Sequence, residues 1–471
     1  MAFGSQNSFS WCFVNDMNVS SSHLAASSAR LQFVADGAQL SARSVPSVGQ
    51  ERPGLLEVLA AMLLFVSAGI DWYAVCYYRV EPLGVPINII DILMFGLVPC
   101  ALLRAFRGVS HARRIPGTVS IPAAVFALAS VIGLIEGVGA GYRLYDVVQD
   151  FRIAVYLLLF FWLFTLTPLR HHLGVLTWAW IAGSLAAAFQ ILHGFASGYS
   201  ETGLVYAGRA VVIPAPSLVF AILVLAARQQ RAWGFVWRSV RYACISLFLV
   251  AILLTLTRAV WLILVVALCV FTLVGRQARR TALLVLSLAV LAGVSAGALA
   301  IFPTELPEEL RTRAEAFTLF VQGEERGTLY TRAEEIAMVS RKFPDHPVFG
   351  HGLGTTTIMY VRGGKTAAEA TFLHNSVAFY LLKLGAVGAL AFFGFLGVVV
   401  FRTLKVPPGS DLFPRARLVF AAVTGFALAG NFSGYLNHTP YMILLGFLLA
   451  QSVLLSSAAP QPARRQVRGA P

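Results

Sequence analysis

Pro347-Val348-Phe349-Gly350-His351-Gly352-Leu353-Gly354, then His374-Asn375, and nine residues later Gly385-Ala386-Val387-Gly388, close the one long polar interruption in an apolar chain. The interruption begins near Phe302. It mixes Glu308, Glu309, Glu315, Glu324, Glu325, Glu334 and Glu335 with Arg311, Arg313, Arg326 and Arg332. On both sides lie apolar runs near the roughly 20 residues that a helix needs to cross a bilayer. The stretch is therefore read as a large loop, about 303–371, set between membrane helices. A loop of that length in a compact protein usually carries function. Inside it the spacing predicts an amphipathic helix over 326–342, with Tyr330, Ala333, Ile336, Ala337 and Val339 as its apolar stripe. Pro344, Pro347 and the glycines then impose loop.

Composition agrees with that reading. The chain has 471 residues, of which 58% are hydrophobic and 12% charged, whereas soluble domains are about one-quarter charged. With no water in the bilayer core, apolar runs must satisfy their own backbone as helices. Candidate spans fall at about 55–76, 86–103, 118–138, 153–167, 173–195, 211–227, 242–257, 259–275, 281–302, 372–400, 418–434 and 441–457. The expected fold is all-α, a polytopic membrane protein of about 12 transmembrane helices with one large periplasmic loop containing short helices.

The net charge of +14 does not point to nucleic acid. Basic residues cluster in short loops: Arg104, Arg107, Arg113 and Arg114; Arg228, Arg231, Arg238 and Arg241; Arg276, Arg279 and Arg280; Arg402, Lys405, Arg415 and Arg417; Arg464, Arg465 and Arg468. Few acids accompany them, which is the positive-inside pattern. It places both termini in the cytoplasm. Residues 1–54 read as a disordered cytoplasmic tail without signal-peptide features. Helices 1–9 occupy 55–302, helices 10–12 occupy 372–457, and 458–471 is a second cytoplasmic tail. The five cysteines (Cys12, Cys76, Cys100, Cys244, Cys269) form no metal or redox spacing and read as small buried side chains.

Some charges sit where helices meet the outer face. Arg258, in Thr257-Arg258-Ala259, lies between two apolar runs with almost no loop. It is either a snorkelling cation or a fixed guanidinium suited to phosphate. Arg209 precedes a helix start. Arg152 does too, with Asp150 beside it as a local ion-pair partner. His374 heads a span and can take a proton near neutral pH, with Asn375 next to it to orient the ring. Gly385 and Gly388 share a helical face and allow close approach of a neighbouring helix. Lys383 reads as packed or snorkelling. The run 350–354 lacks the flanking strand and the Lys-Ser/Thr of a nucleotide loop. Asp345, His346 and His351 have no diagnostic metal spacing. Asp71, Asp91 and Glu136 lie near outer helix ends, available to sugar hydroxyls or to arginines.

Taken together, His374-Asn375, nine residues, then Gly385-x-x-Gly388 resembles the H-[NSQ]-x9-GxxG pattern of the O-antigen ligase superfamily. That group includes lipopolysaccharide O-antigen ligases, Wzy-type polysaccharide polymerases and O-linked oligosaccharyltransferases. Pro347 to Gly354 is similar to its PxxGxGxG element, Thr257-Arg258-Ala259 to its S/T-R-A/G element, and Arg332 to its loop arginine. The match covers roughly 150–450, and Lys383 departs from it where an acid often stands.

The resemblance implies an inverting glycan transfer in the bacterial inner membrane, with the active site periplasmic and neither metal nor other cofactor. The donor would be an undecaprenyl-pyrophosphate-linked glycan and the acceptor a glycan or lipid hydroxyl. Polysaccharide export or chain-length proteins are expected partners. In that reading His374 and Arg258 are catalytic, and Arg209, Arg332, Arg152 and Asn375 bind substrate. Gly350, Gly352, Gly354, Gly385 and Gly388 shape the backbone. The rival expectation is a twelve-helix transporter or flippase for polysaccharide intermediates. Against it, the two halves of the chain do not resemble one another.

Overall fold

The computed structural model describes residues 54–69, 87, 89–107, 115–166, 173–201, 215–227, 234–255, 257–274, 328–361, 366–370, 373–434, 436 and 438–458. Helices run over Leu55–Gly69 (α1), Ile89–Arg107 (α2), Gly117–Gly139 (α3), Leu144–Leu166 (α4), Leu173–Glu201 (α5), Ala215–Ala227 (α6), Phe235–Leu254 (α7) and Arg258–Leu273 (α8). Thr328–Lys342 (α9) lies in the insertion, and Ser376–Thr403 (α10), Phe413–Ser433 (α11) and Thr439–Ala458 (α12) follow it. Eleven of the twelve expected apolar segments coincide with these helices. The expected helix at 281–302 and both tails fall outside the described residues, apart from Gly54 and Ala458.

Among the described residues six helices are long and apolar enough to cross a membrane: Gly117–Gly139, Leu144–Thr165, Leu173–Gly194, Phe235–Leu254, Ser376–Thr403 and Pro440–Ala458. Four further apolar helices are shorter. This is a multi-pass membrane architecture.

One helix start moves in a way that matters. The expected span at 153–167 begins nine residues earlier, at Leu144, so Asp146, Asp150 and Arg152 lie inside α4 and not in a loop before it. Charges are costly there unless matched. Each of the three is: Asp146 pairs with Arg143 at 3.7 Å, Arg152 with Asp91 of α2 at 3.3 Å, and Asp150 with Lys383 of α10.

Lipid tails are as apolar as leucine, so close packing rather than apolar burial must hold membrane helices together. Small residues provide it. A Cβ on Gly69 of α1 would fall 2.4 Å from the Gly183 carbonyl oxygen of α5, and one on Gly446 of α12 would fall 2.8 Å from Leu157 O of α4. Ser217 Oγ of α6 donates to Ala68 O of α1 at 2.8 Å, beside that contact. Between these contacts the interior is filled by aromatic rings. Tyr380 stacks on Phe392 at 4.0 Å, and Phe161 meets Phe395 edge-on at 5.0 Å. Such pairs add about 0.5–1.5 kcal/mol each beyond the area they bury.

The register of α8 on α11 positions the site. Arg417, early in α11, donates to Phe271 O near the end of α8, and Gly425 sits against Ile263 and Ala267. The two helices are therefore antiparallel. From Gly425, about 10 Å of further helix brings the start of α8 level with the last turn of α11.

In the insertion, α9 leads through a 3-10 turn at Phe343–Asp345 and the glycine loop into two antiparallel strands. These are Thr357–Val361 (β1) and Thr366–Ala370 (β2), with Thr357 opposite Ala370. The expected stripe of α9 holds only in part: Val339 is buried, and the side chain of Tyr330 lies outside the described residues. Ala333, Ile336 and Ala337 are exposed, whereas Glu335 and Val339 are buried. A carboxylate goes inward because it has partners there.

Candidate functional site

The glycine loop and α10 are built around one another. α10 breaks at Gly385, whose φ of 64° and ψ of −167° are non-helical. A break inside an apolar helix leaves backbone groups without partners. The loop supplies them: Ala386 N donates to Pro347 O at 2.9 Å, Val387 N to Val348 O at 3.1 Å, and His351 N to Leu382 O at 2.8 Å. On the opposite side Leu353 N donates to Gly133 O of α3 at 2.8 Å.

Contacts this close leave no room for side chains. A Cβ on Gly385 would lie 2.3 Å from Val348 O, one on Gly352 would lie 2.6 Å from Gly137 N, and one on Gly350 would lie 2.6 Å from Gly385 N. Gly350, Gly352 and Gly354 all have positive φ (79°, 87° and 82°). The expectation that Gly385 and Gly388 admit a neighbouring helix is thus corrected. The element that approaches is the glycine loop, and Gly388 faces Leu384 of its own helix across the break.

Asp150 anchors the end of this loop. Its Oδ2 accepts from Gly354 N at 2.7 Å and from Lys383 Nζ, and Lys383 is fully buried beneath the Phe379 ring. Lys383 therefore does not snorkel, and Asp150 does not pair locally with Arg152. Arg152 instead reaches Asp91, which also accepts from the Tyr156 hydroxyl.

At the head of α10, Asn375 is the N-cap. Its Oδ1 accepts from Ala378 N at 2.9 Å, which occupies one of the donors a helix start leaves open. That role replaces the expected orienting contact to His374. The imidazole is held instead by Glu335 of α9. Glu335 Oε2 accepts from His374 backbone N at 2.9 Å, and Oε1 lies 2.6 Å from Nδ1. The carboxylate is 2% exposed and the imidazole side chain 38%. Glu335 was missed in the sequence because it is one of many glutamates in the insertion. Its spacing of three from Arg332, which places both on one helical face, was the available signal.

The neighbouring elements meet at the same end of the bundle. Ser376 Oγ donates to Gly430 O of α11 at 2.8 Å, and Tyr380 OH to Leu436 O at 2.9 Å. The α11–α12 connection carries His438, whose carbonyl accepts the first amides of α12. Burial and the nearby His374 ring lower its pKa from 6.5 to about 4, so it is neutral at ordinary pH.

Thr257, in extended conformation, precedes α8, and Arg258 is its first residue. Trp261 Nε1 donates to Ile252 O at 3.0 Å and fastens this start to α7. By the α8–α11 register, the backbone of Arg258 stands at the end of α11 that Ser376 contacts. The side chain of Arg258 and all of Arg209 lie outside the described residues, as does Asp71. Arg332 is half-buried on α9. His351 Nε2 lies 2.9 Å from Lys342 O and its ring packs edge-on against His346. Among the described residues no three His, Cys, Asp or Glu side chains group as metal ligands would.

The fold and this site define a multi-pass helical membrane protein with an acid-held imidazole at one end of the bundle. Residues 243–393 match the O-antigen ligase family model, Wzy_C. The match covers that region alone, and it supports a relation to the O-antigen ligase superfamily. The matched region holds Arg258, Arg332, Glu335, the glycine loop, His374 and Gly385. A comparison with curated proteins returns no match.

Proposed function

We propose that the protein transfers or polymerises glycan from an undecaprenyl-pyrophosphate donor onto an acceptor hydroxyl at the periplasmic face, with His374 as the base. The observation that carries this reading is the hold on His374. Nδ1 is engaged by a buried carboxylate, while the ring is partly open at the head of a membrane helix. In the proposed step the acceptor hydroxyl gives its proton to Nε2. Its oxygen attacks the anomeric carbon from the side opposite the pyrophosphate. The bond to the leaving oxygen breaks, and its electron pair departs with the lipid pyrophosphate, so the anomeric configuration inverts.

Charge develops on that leaving group, and fixed cations stabilise it. We assign this role to Arg258, the first residue of α8. A helix N-terminus with its open amides suits an anion, and an arginine there stands at the unfavourable end of the dipole unless an anion joins it. Arg332 is the second cation, brought by α9, and Arg209 the third. Arg152 is assigned to joining α4 to α2, because Asp91 holds it. No step needs a metal or other cofactor.

The test uses the full chain in nanodiscs with an undecaprenyl-pyrophosphate-linked oligosaccharide, following release of the free lipid pyrophosphate. His374→Ala is expected to abolish release while the protein level stays normal. Wild-type release by that variant would remove the proposal. Arg258→Lys is expected to be impaired, because an ammonium keeps the charge without the fork geometry.

A further inference from the structure

We infer that Glu335 is the positioning residue of this base, and that it makes seating of α9 a condition for transfer. The inference rests on the reading of His374 as the base. Glu335 has two acceptor oxygens, and each meets one donor of the same residue: the backbone N–H and Nδ1 of His374. A carboxylate only accepts, so Nδ1 carries the hydrogen and the lone pair of the neutral ring falls on Nε2. Two points of contact also set the plane of the ring. When Nε2 takes the proton from the acceptor hydroxyl, the new imidazolium lies against the carboxylate. Glu335 is 2% exposed and spends both oxygens on His374, so its part in the step is through the ring.

The carboxylate and the imidazole belong to different elements. Glu335 is on the insertion helix, and His374 stands just ahead of α10. The buried part of α9 is small, with Glu335 and Val339 its buried residues among those described, and Ala333, Ile336 and Ala337 facing out. Among its described side chains little apolar burial holds it, so polar bonds carry weight. At its far end Lys342 Nζ donates to Thr356 O at 3.3 Å, and Lys342 O meets the His351 ring. These bonds tie α9 to the glycine loop, and that loop is locked into the break of α10. The base is thus correctly set only when α9 is docked, and one of the contacts that dock it is the one that sets the base.

The variants separate orientation from bulk. Glu335→Gln keeps the size but offers one acceptor and one donor, so it cannot serve two N–H groups. Glu335→Asp keeps two acceptors on a shorter stem. Full-length protein in nanodiscs is assayed with the undecaprenyl-pyrophosphate-linked oligosaccharide, measuring kcat and KM for pyrophosphate release and hydrogen exchange of the α9 amides. The expected result for Glu335→Gln is a kcat loss of ~100-fold or more, with KM within about twofold of wild type. Glu335→Asp is expected to recover part of kcat. Exchange in α9 is expected to rise in both Glu335→Gln and His374→Ala, because each removes one side of the same bond. A Glu335→Gln enzyme at wild-type kcat overturns the inference, whatever its α9 exchange. Equal losses in the Asp and Gln variants overturn it too, because the carboxylate would then have no special part. An active His374→Ala enzyme sinks the base reading itself. An inactive His374→Ala beside a fully active Glu335→Gln sinks this inference alone.

Discussion

Asp150 and Glu335 are bonded in the same way and do different work. Each buried carboxylate accepts from one backbone N–H and from one basic side chain. For Asp150 the donors are Gly354 N at 2.7 Å and Lys383 Nζ. For Glu335 they are His374 N at 2.9 Å and Nδ1 at 2.6 Å. The bases differ in exposure and in chemistry. Lys383 is fully buried, whereas the His374 side chain is 38% exposed. A charged ammonium has three donors and no acceptor, but a neutral imidazole keeps a lone pair. The first pair can only fasten the glycine loop between α4 and α10. The second holds one side of a ring whose other nitrogen can take a proton. One bonding scheme is a lock where it is sealed and an instrument where it is partly open.

The comparison breaks first at the imidazole. His374→Ala is expected to cost about 10²-fold to 10⁴-fold or more in turnover, the range for losing a general base, measured as released lipid pyrophosphate. If the same substitution also left turnover intact, the two pairs would both be merely structural. Lys383→Met tests the other side. It leaves Asp150 buried with only the Gly354 amide, and removing one partner of a buried pair costs about 3–5 kcal/mol. The expected sign is a large drop in thermal stability in detergent. Pairing Lys383→Met with Asp150→Asn should restore part of that loss, since no uncompensated charge then remains.

Gly385→Ala probes what both pairs surround. The new Cβ would meet Val348 O at 2.3 Å in a backbone conformation with φ of 64°. Strain of this type costs about 1–3 kcal/mol before any shift of the loop. Thermal unfolding should detect it, and proteolysis should cut the 346–354 loop faster.

The smallest expected effect is one of pH. His438 has its pKa lowered to about 4 in the fold. Between 6.5 and that value the unfolded chain binds a proton that the folded chain does not. Its contribution is therefore complete above about pH 6.5 and is lost as pH falls toward 4. Unfolding temperatures taken across that window should decline on acidification, and His438→Gln should flatten the decline. An unchanged slope in His438→Gln would assign the decline to other groups.

How far the chain could be read without coordinates differs from residue to residue. His374 and the glycines of 350–354 and 385 stood out as motifs, because special backbone angles and a titratable ring leave few alternatives in residue type. The bonding of Lys383, Arg152 and Asn375 was not legible. Lys383 finds its acid 233 positions away. Arg152 passes over Asp150 for Asp91, because residues two apart on a helix point to different faces. Asn375 turns toward its own helix amides. Periodicity also found the insertion helix but misjudged most of its buried face. It counts apolar residues, and the buried face of α9 is organised by a carboxylate.

What the sequence determined by itself is the membrane character, most of the helical segments and the residue types available for chemistry. Those follow from composition and from local backbone demands, which act over a few residues. The tertiary structure alone decided which acid meets which base, that α10 is broken and repaired by the glycine loop, and that Glu335 holds His374. Such pairings are set by whichever donors and acceptors a buried group can reach in space, and separation along the chain carries no record of that.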